Sequence, residues 1–304
     1  MTATAAYARP QVGGAAVRRA VGRVALVVGA VVAVGLVWTG YKAMGAATGD
    51  VWPGTSRALP VPTDDTTLPP FMDILRRFGE PQRTGDSAPL WQYLVDASLF
   101  TFREAFVGFL AGIVIGLALA VLLLRSRWLE RGLLPWVIVS QTVPLIALAP
   151  VVVAWGNQLP FGYWQSWMSV AVIATYLTFF PVTVNALRGL TSPGRQPLEL
   201  MRSYAATDRA TLVKLRFPAS VPYLIPALKL AATASVVGAV VGEISAGLRG
   251  GLGRLIIDYS QQYLTDPARL YCAVVAAGVL GILFVGLIDV LDRVLMRGRP
   301  REAT

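Results

Sequence analysis

Histidine is absent from the 304 residues, and cysteine occurs once, at Cys272. The first absence removes the commonest general base and the commonest metal ligand. The second excludes an internal disulfide and any pair of cysteine ligands. No acids cluster in sequence to hold a metal instead, so neither a catalytic residue nor a metal site is expected. A Gly-x-x-x-x-Gly-Lys-Ser/Thr stretch is also missing, so the chain lacks the loop that cradles nucleotide phosphates. Charge is scarce as well. Charged residues make up 14% and hydrophobic residues 55%, where a soluble domain carries about 25% charged residues. Mean hydropathy is +0.59. One aqueous core cannot hide this much apolar surface, and lipid as solvent accounts for it. The net charge of +10 is not arranged for nucleic acid, because the basic residues fall between apolar runs and form no continuous stripe.

Six apolar runs approach the roughly 20 residues that cross a bilayer. They are Val24–Met44, Leu99–Leu124, Leu133–Trp155, Trp167–Leu187, Tyr223–Ala246 and Leu270–Leu291. The expected organisation is an N-terminal tail (1–23), a first span (24–44), an extracytoplasmic segment (45–98), a five-helix core (99–292) with a long cytoplasmic loop at 188–222, and a C-terminal tail (293–304). With both termini cytoplasmic, seventeen of the 27 Lys and Arg residues fall on the inner side and seven on the outer. That bias sets the orientation. Lys42, Arg103 and Lys229 lie near span ends, where long side chains snorkel. The first run follows Arg18, Arg19 and Arg23 and is read as a retained helix, being long for a signal-peptide core. Trp38, Trp91, Trp128, Trp155, Trp164 and Trp167 gather near predicted borders, as interfacial anchors do.

The outer segment holds one amphipathic stretch, Pro70–Phe78. Phe71, Ile74, Leu75 and Phe78 share one side, and Asp73, Arg76 and Arg77 the other. It either lies on the membrane surface or docks an outer partner. Gly108, Gly112 and Gly116 repeat at four-residue spacing, as in helices that pack closely in lipid. The fifth run carries two small-residue ridges, one through Ala231 and Ser235, the other through Gly238 and Gly242, and either packs tightly or faces a path. In the third run Pro135, Pro144 and Pro150 interrupt the backbone ladder beside Gln141 and Thr142. Pore lining and a packing kink both fit. Arg103, Glu104 and Glu243 are ionisable residues near membrane depth and are functional candidates for that reason, while Asp289 and Asp292 read as partners of Arg293. The candidate substrate path is therefore Gln141, Thr142, Ser235, Glu243 and Arg103.

The loop between the fourth and fifth runs reads Glu199-Leu-Met-Arg-Ser-Tyr-Ala205-Ala-Thr-Asp-Arg-Ala-Thr-Leu-Val-Lys-Leu-Arg-Phe-Pro218. Two helical pieces are predicted. Pro197 suits the start of the first, where its missing donor would be unpaired anyway. Ala205 to Thr207 make the turn, Asp208 caps the second piece, and Pro218 and Pro222 end it. This loop resembles the EAA loop of ABC importer permeases, the binding-protein-dependent inner-membrane components. The family pattern is Glu-Ala-Ala, three residues, glycine, then Leu-Pro with the proline thirteen after the glycine. Glu199 matches the acid and Pro218 the proline. Leu200 and Met201 replace the alanines, Ala205 stands at the glycine, and Phe217 replaces the leucine. Further pieces resemble the nitrate, taurine and alkanesulfonate branch: Ser98 to Arg103 with Gly108, Val143-Pro144-Leu145 to Pro150, Phe180-Pro181 with Asn185 and Gly189, and Gly242-Glu243 followed by Gly250 to Gly253.

The resemblance implies an all-α membrane protein with six transmembrane helices and a type I importer, MetI-like fold in the bacterial inner membrane. It implies a permease pair, most simply a homodimer, around a central path. It implies a separate cytoplasmic ATPase subunit, itself a dimer, that binds ATP and Mg, while this chain binds no cofactor. A solute-binding protein would deliver substrate from outside. Glu199, Arg202, Ser203, Tyr204, Ala205, Asp208 and Pro218 would form the ATPase-coupling segment. The implied substrate is a small anion such as a sulfonate, taurine or nitrate, or a pyrimidine-type vitamin precursor. The competing function is a secondary transporter driven by an ion gradient, a class that usually shows repeated halves or intramembrane acids. No repeated halves are visible.

Overall fold

A computed structural model describes residues 12–83, 85–158, 164–247 and 250–295. Of the expected tails 1–23 and 293–304, residues 1–11 and 296–304 lie outside the described residues, and so do Arg9, Arg249, Arg297, Arg299 and Arg301. The chain divides into two units, one ending at Arg76 and one beginning at Arg77.

In the first unit α1 runs Val12–Thr48, beyond the 24–44 run at both ends. The segment after it is tied back to α1 by polar side chains. Trp38 Nε1 donates to the Pro69 carbonyl (2.9 Å) and the Tyr41 hydroxyl to Val61 (2.9 Å). Lys42 does not snorkel. Its ammonium pairs with Asp65 at 2.7 Å and donates to the carbonyls of Thr63 and Leu68. The short helix α2 spans Phe71–Arg77, with Ile74 buried but Leu75 exposed.

In the second unit α3 (Leu90–Arg125), α6 (Ser166–Thr191) and α9 (Phe217–Ala246) form the core, with α3 on α6 and α6 on α9 as the principal interfaces. Small residues make this approach. A Cβ built on Gly108 would lie 2.5 Å from the Ala174 Cβ, on Gly112 2.5 Å from the Thr178 Cβ, and on Gly116 2.8 Å from the Phe179 carbonyl. The glycine ridge of α3 is thus filled by α6. Thr178 adds a hydroxyl bond to the Ala231 carbonyl of α9.

Between α3 and α6 the expected third span is two helices, α4 (Arg127–Ser140) and α5 (Leu145–Gln158), bent by 98°. Only Pro144 of the three prolines stands at the break. It has no N–H to give the preceding turn and disfavours helical geometry at Val143. Pro135 and Pro150 remain inside their helices. Among the described residues five helices are long and apolar enough to cross a membrane, and the bent pair makes a sixth crossing if it is one span.

After α6 come α7 (Arg195–Ser203) and α8 (Asp208–Thr211). Leu212–Arg216 forms a π turn that runs straight into α9, so Pro218 and Pro222 do not end the helix. Pro218 falls in the first turn of α9, directly after the wider π turn, which takes up the register change. A short α10 (Leu252–Ser260) and then α11 (Pro267–Leu295) complete the unit. Two ion-pair sets secure α11. At one end Arg77, which the helical pattern put on the exposed side, is 8% exposed and bonds Asp266 at 2.8 Å, while Arg269 shares that carboxylate at 3.0 Å. Nearer the other end Lys229 of α9 reaches Asp289 at 2.5 Å and Asp292 at 3.8 Å. Among the described residues both aspartates thus pair with Lys229 of α9, where Arg293 was the expected partner, and Lys229 is a crosslink, not a snorkelling side chain.

Candidate functional site

The α7–α8 segment stands out because neither helix has a buried residue. No residue of α7 is buried. Leu200 is 56% and Tyr204 78% exposed. Arg195, Glu199 and Arg202 recur at helical spacing on one side, and among the described residues none of the three makes an ion pair. Pro197 is the third residue of α7, within the first turn, where N–H groups have no intrahelical acceptor. Ser203 closes the far end, its hydroxyl bonding the Glu199 carbonyl at 2.9 Å.

The turn between α7 and α8 is sharply defined. Ala205 has φ +49°, the left-handed region. The Ala205 N–H donates to the Arg202 carbonyl and the Ala206 N–H to Met201, both at 2.9 Å. That pair of bonds is the Schellman arrangement that normally uses glycine. Alanine there costs about 1 kcal/mol. Ala205→Gly is accordingly expected to stabilise the turn by up to about 1 kcal/mol, visible as slower proteolysis at 204–207 with no change in membrane insertion. The cap of α8 is Thr207, not Asp208. The Thr207 hydroxyl accepts from the Ala210 N–H at 3.2 Å. Asp208 is the first helical residue, where its charge still favours the helix N-terminus.

The segment is exposed but firmly rooted. Arg216 donates to the Leu190 carbonyl at the end of α6 (2.8 Å). Leu212 and Phe217 pack on a buried cluster of Ala120, Leu123, Ala186, Leu187 and Leu190. A Cβ on Gly189 would lie 2.7 Å from that of Ser220, so α6 and α9 cross closely just above the root.

The residues read as a candidate path fall in three places. Gln141 and Thr142 form the α4–α5 break. The Thr142 hydroxyl returns to Val139 (2.8 Å), the Tyr176 hydroxyl takes the Ser140 carbonyl, and the Gln141 Nε2 is buried without a hydrogen-bond partner among the described residues. Ser235 is fully buried in α9, bonded to the Ala232 carbonyl at 2.8 Å. Arg103 is exposed and stacks over the Trp167 ring at 4.1 Å. Glu243 is fully buried at the junction of α3, α9 and α10. Its carboxylate accepts the Thr101 hydroxyl at 2.7 Å and the Gly253 N–H at 2.6 Å, and Thr101 in turn accepts the Leu252 N–H at 2.9 Å. Two first-turn donors of α10 are thereby capped by side chains of two other helices. Gly251 and Gly253 permit the approach, since a Cβ on either would strike Glu243. The buried Glu104 stands beside this group. Thr101 was not singled out from sequence, and a lone hydroxyl 142 residues from its partner leaves no local signal.

A family model described as binding-protein-dependent transport system inner membrane component matches residues 112–298, which include α7, its turn and Glu243 with the start of α10, but not Thr101. The chain belongs to that family. The permease is 36% identical to the formylaminopyrimidine transport permease protein ThiX of Halalkalibacterium halodurans, over 64% of this chain and 74% of that one. It is 26% identical to the putative aliphatic sulfonates transport permease protein SsuC of Bacillus subtilis, over 77% and 79%. Among solved structures, an inward-facing MetNI methionine ABC transporter chain superposes with a TM-score of 0.60 at 21% identity, covering 69% of the permease and 99% of that chain. The fold is therefore MetI-like, and the permease is an inner-membrane ABC importer component. Its likeness to a nutrient-import permease leaves the ion-gradient reading without support.

Proposed function

We propose that the permease draws its energy from a separate ATPase that grips α7, with both permease termini and the α7–α8 segment in the cytoplasm. The observation that carries this reading is a charged helix with no buried residue, ended by a fixed Ala205 turn, yet rooted in α6 and α9 through Arg216, Leu212 and Phe217. A solvated loop needs no such root, whereas a handle that transmits force does. The basic bias of this side fits the cytoplasmic assignment. Two permease copies would enclose the path, ATP and Mg would bind the ATPase pair, and a solute-binding protein would deliver cargo from outside.

The substrate class inferred is a small polar solute of the formylaminopyrimidine kind, on the strength of the likeness to ThiX. A small sulfonate is the second reading, favoured by the likeness to SsuC. ATPase stimulation of the reconstituted complex by one solute class, with its binding protein present, separates the two.

Glu199→Lys reverses a charge that no ion-pair partner among the described residues compensates. The variant is expected to reach the membrane at normal level and to lose at least about tenfold in ATPase affinity, since charge reversal at an interface costs several kcal/mol. Co-purification with the ATPase and transport in proteoliposomes check this. Unchanged ATPase association would overturn the assignment of α7.

A further inference from the structure

Outside these sites, α4 is the least supported helix of the second unit. Val137 is its one buried residue. Trp128 is 85% exposed. Along the open side runs a cleft of about 800 Å³ lined by Arg127, Glu130, Arg131, Leu134, Pro135, Ile138 and Val139. Counted from Arg127 these positions fall at i+3, i+4, i+7, i+8, i+11 and i+12, so the cleft is a single helix face. It is charged at one end and apolar at the other. Arg127 and Arg131 are one turn apart, and among the described residues neither makes an ion pair, Glu130 included.

We infer that this face holds an anionic phospholipid, its phosphate between Arg127 and Arg131 and one acyl chain along Leu134, Ile138 and Val139. Three observations favour lipid. The arginines lack a counter-ion, and a lipid phosphate supplies one with geometry that guanidinium groups match. Beyond the arginines the apolar face from Leu134 to Val139 covers about 8 Å along a helix, half of the roughly 15 Å of hydrocarbon in one leaflet, and so takes the headgroup-proximal part of an acyl chain. Trp128 beside the arginines has the amphipathic character of a headgroup-level anchor. Leu134 also packs on the cluster that roots the α7–α8 segment, so the arginines lie at the same end of the bundle. On the orientation proposed above, that end is the inner leaflet, whose surface attracts basic side chains. The lipid would support one half of the broken span where protein does not.

The test is competition between phosphatidylglycerol and phosphatidylcholine for the purified permease, read by native mass spectrometry. Wild type is expected to retain phosphatidylglycerol on the order of tenfold better. Arg127→Gln with Arg131→Gln should abolish that preference while leaving phosphatidylcholine retention and thermal unfolding in phosphatidylcholine unchanged. Arg127→Lys with Arg131→Lys should restore most of it, and guards against loss through misfolding. Equal retention of the two lipids by wild type, or an undiminished preference in the double glutamine variant, overturns the proposal. So does a double glutamine variant that falls from dimer to monomer with its lipid preference intact, because a second permease copy would then be what covers α4. None of these readouts involves the ATPase, so failure here is distinguishable from failure of the coupling assignment.

Discussion

Gly112→Leu is expected to destabilise the permease by about 3 kcal/mol or more, the upper end for overpacking. A Cβ at this position would lie 2.5 Å from both the Cβ and the Cγ2 of Thr178 and 3.2 Å from the Phe179 backbone nitrogen. The side chain of Thr178 is fully buried and has no space to rotate into. Leucine adds three further carbons, so α3 and α6 must separate. The neighbouring glycines on the ridge, Gly108 and Gly116, meet α6 as closely, which means separation would strip the whole interface. In lipid no hydrophobic gain compensates, because tails are as apolar as the side chains they would contact. Folded yield and thermal unfolding in detergent measure the effect. Gly278→Leu on α11 is the control, since nothing lies within 4 Å of a Cβ there, and it should unfold like wild type.

Glu243→Ala is the second large loss, expected at about 3 kcal/mol from donors left buried and unpaired. It orphans the Gly253 N–H outright and removes the acceptor that orients the Thr101 hydroxyl towards Leu252. Glu243→Gln should fall between alanine and wild type. The carboxylate uses one oxygen for Thr101 and the other for Gly253, and an amide has only one acceptor oxygen to divide between them. Thr101→Val should lose less than Glu243→Ala, and the double variant less than the sum, because the two side chains act as one group. Proteolysis around Gly250 and Gly251, together with thermal unfolding, reads all four variants. Additive losses would show that the cap of α10 does not depend on the pair.

These expectations show where sequence was sufficient. Apolar runs are long-range averages of solvent preference, and they located five membrane helices. The Gly108, Gly112 and Gly116 spacing is a local pattern, and it marked the face that α6 fills. The α7–α8 segment was legible because Glu199 and Pro218 stand at the spacing of the loop that the sequence resembles. Tertiary choices were not legible. Three prolines in the third run looked equivalent, and only the surroundings of Pro144 make it the break. Asp289 and Asp292 have Arg293 as their nearest cation in sequence, but a helix surface pairs what lies across the groove, which is Lys229. The one-residue shift of the α8 cap from Asp208 to Thr207 reflects two adjacent good cappers, between which the preceding Ala205 turn decides.

The unbroken helix from Asp208 to Ala246 is about 58 Å long at 1.5 Å per residue. One end carries the rooted segment beside Leu190, and the other the carboxylate that caps α10. Such a rod behaves as a lever. A tilt of about 10° around its midpoint would displace each tip by roughly 5 Å in opposite directions. On the proposed coupling, a push on α7 would thus reach the α10 end of the bundle within a single element, and a softening of the π turn at Leu212–Arg216 would disconnect the two ends without altering either surface.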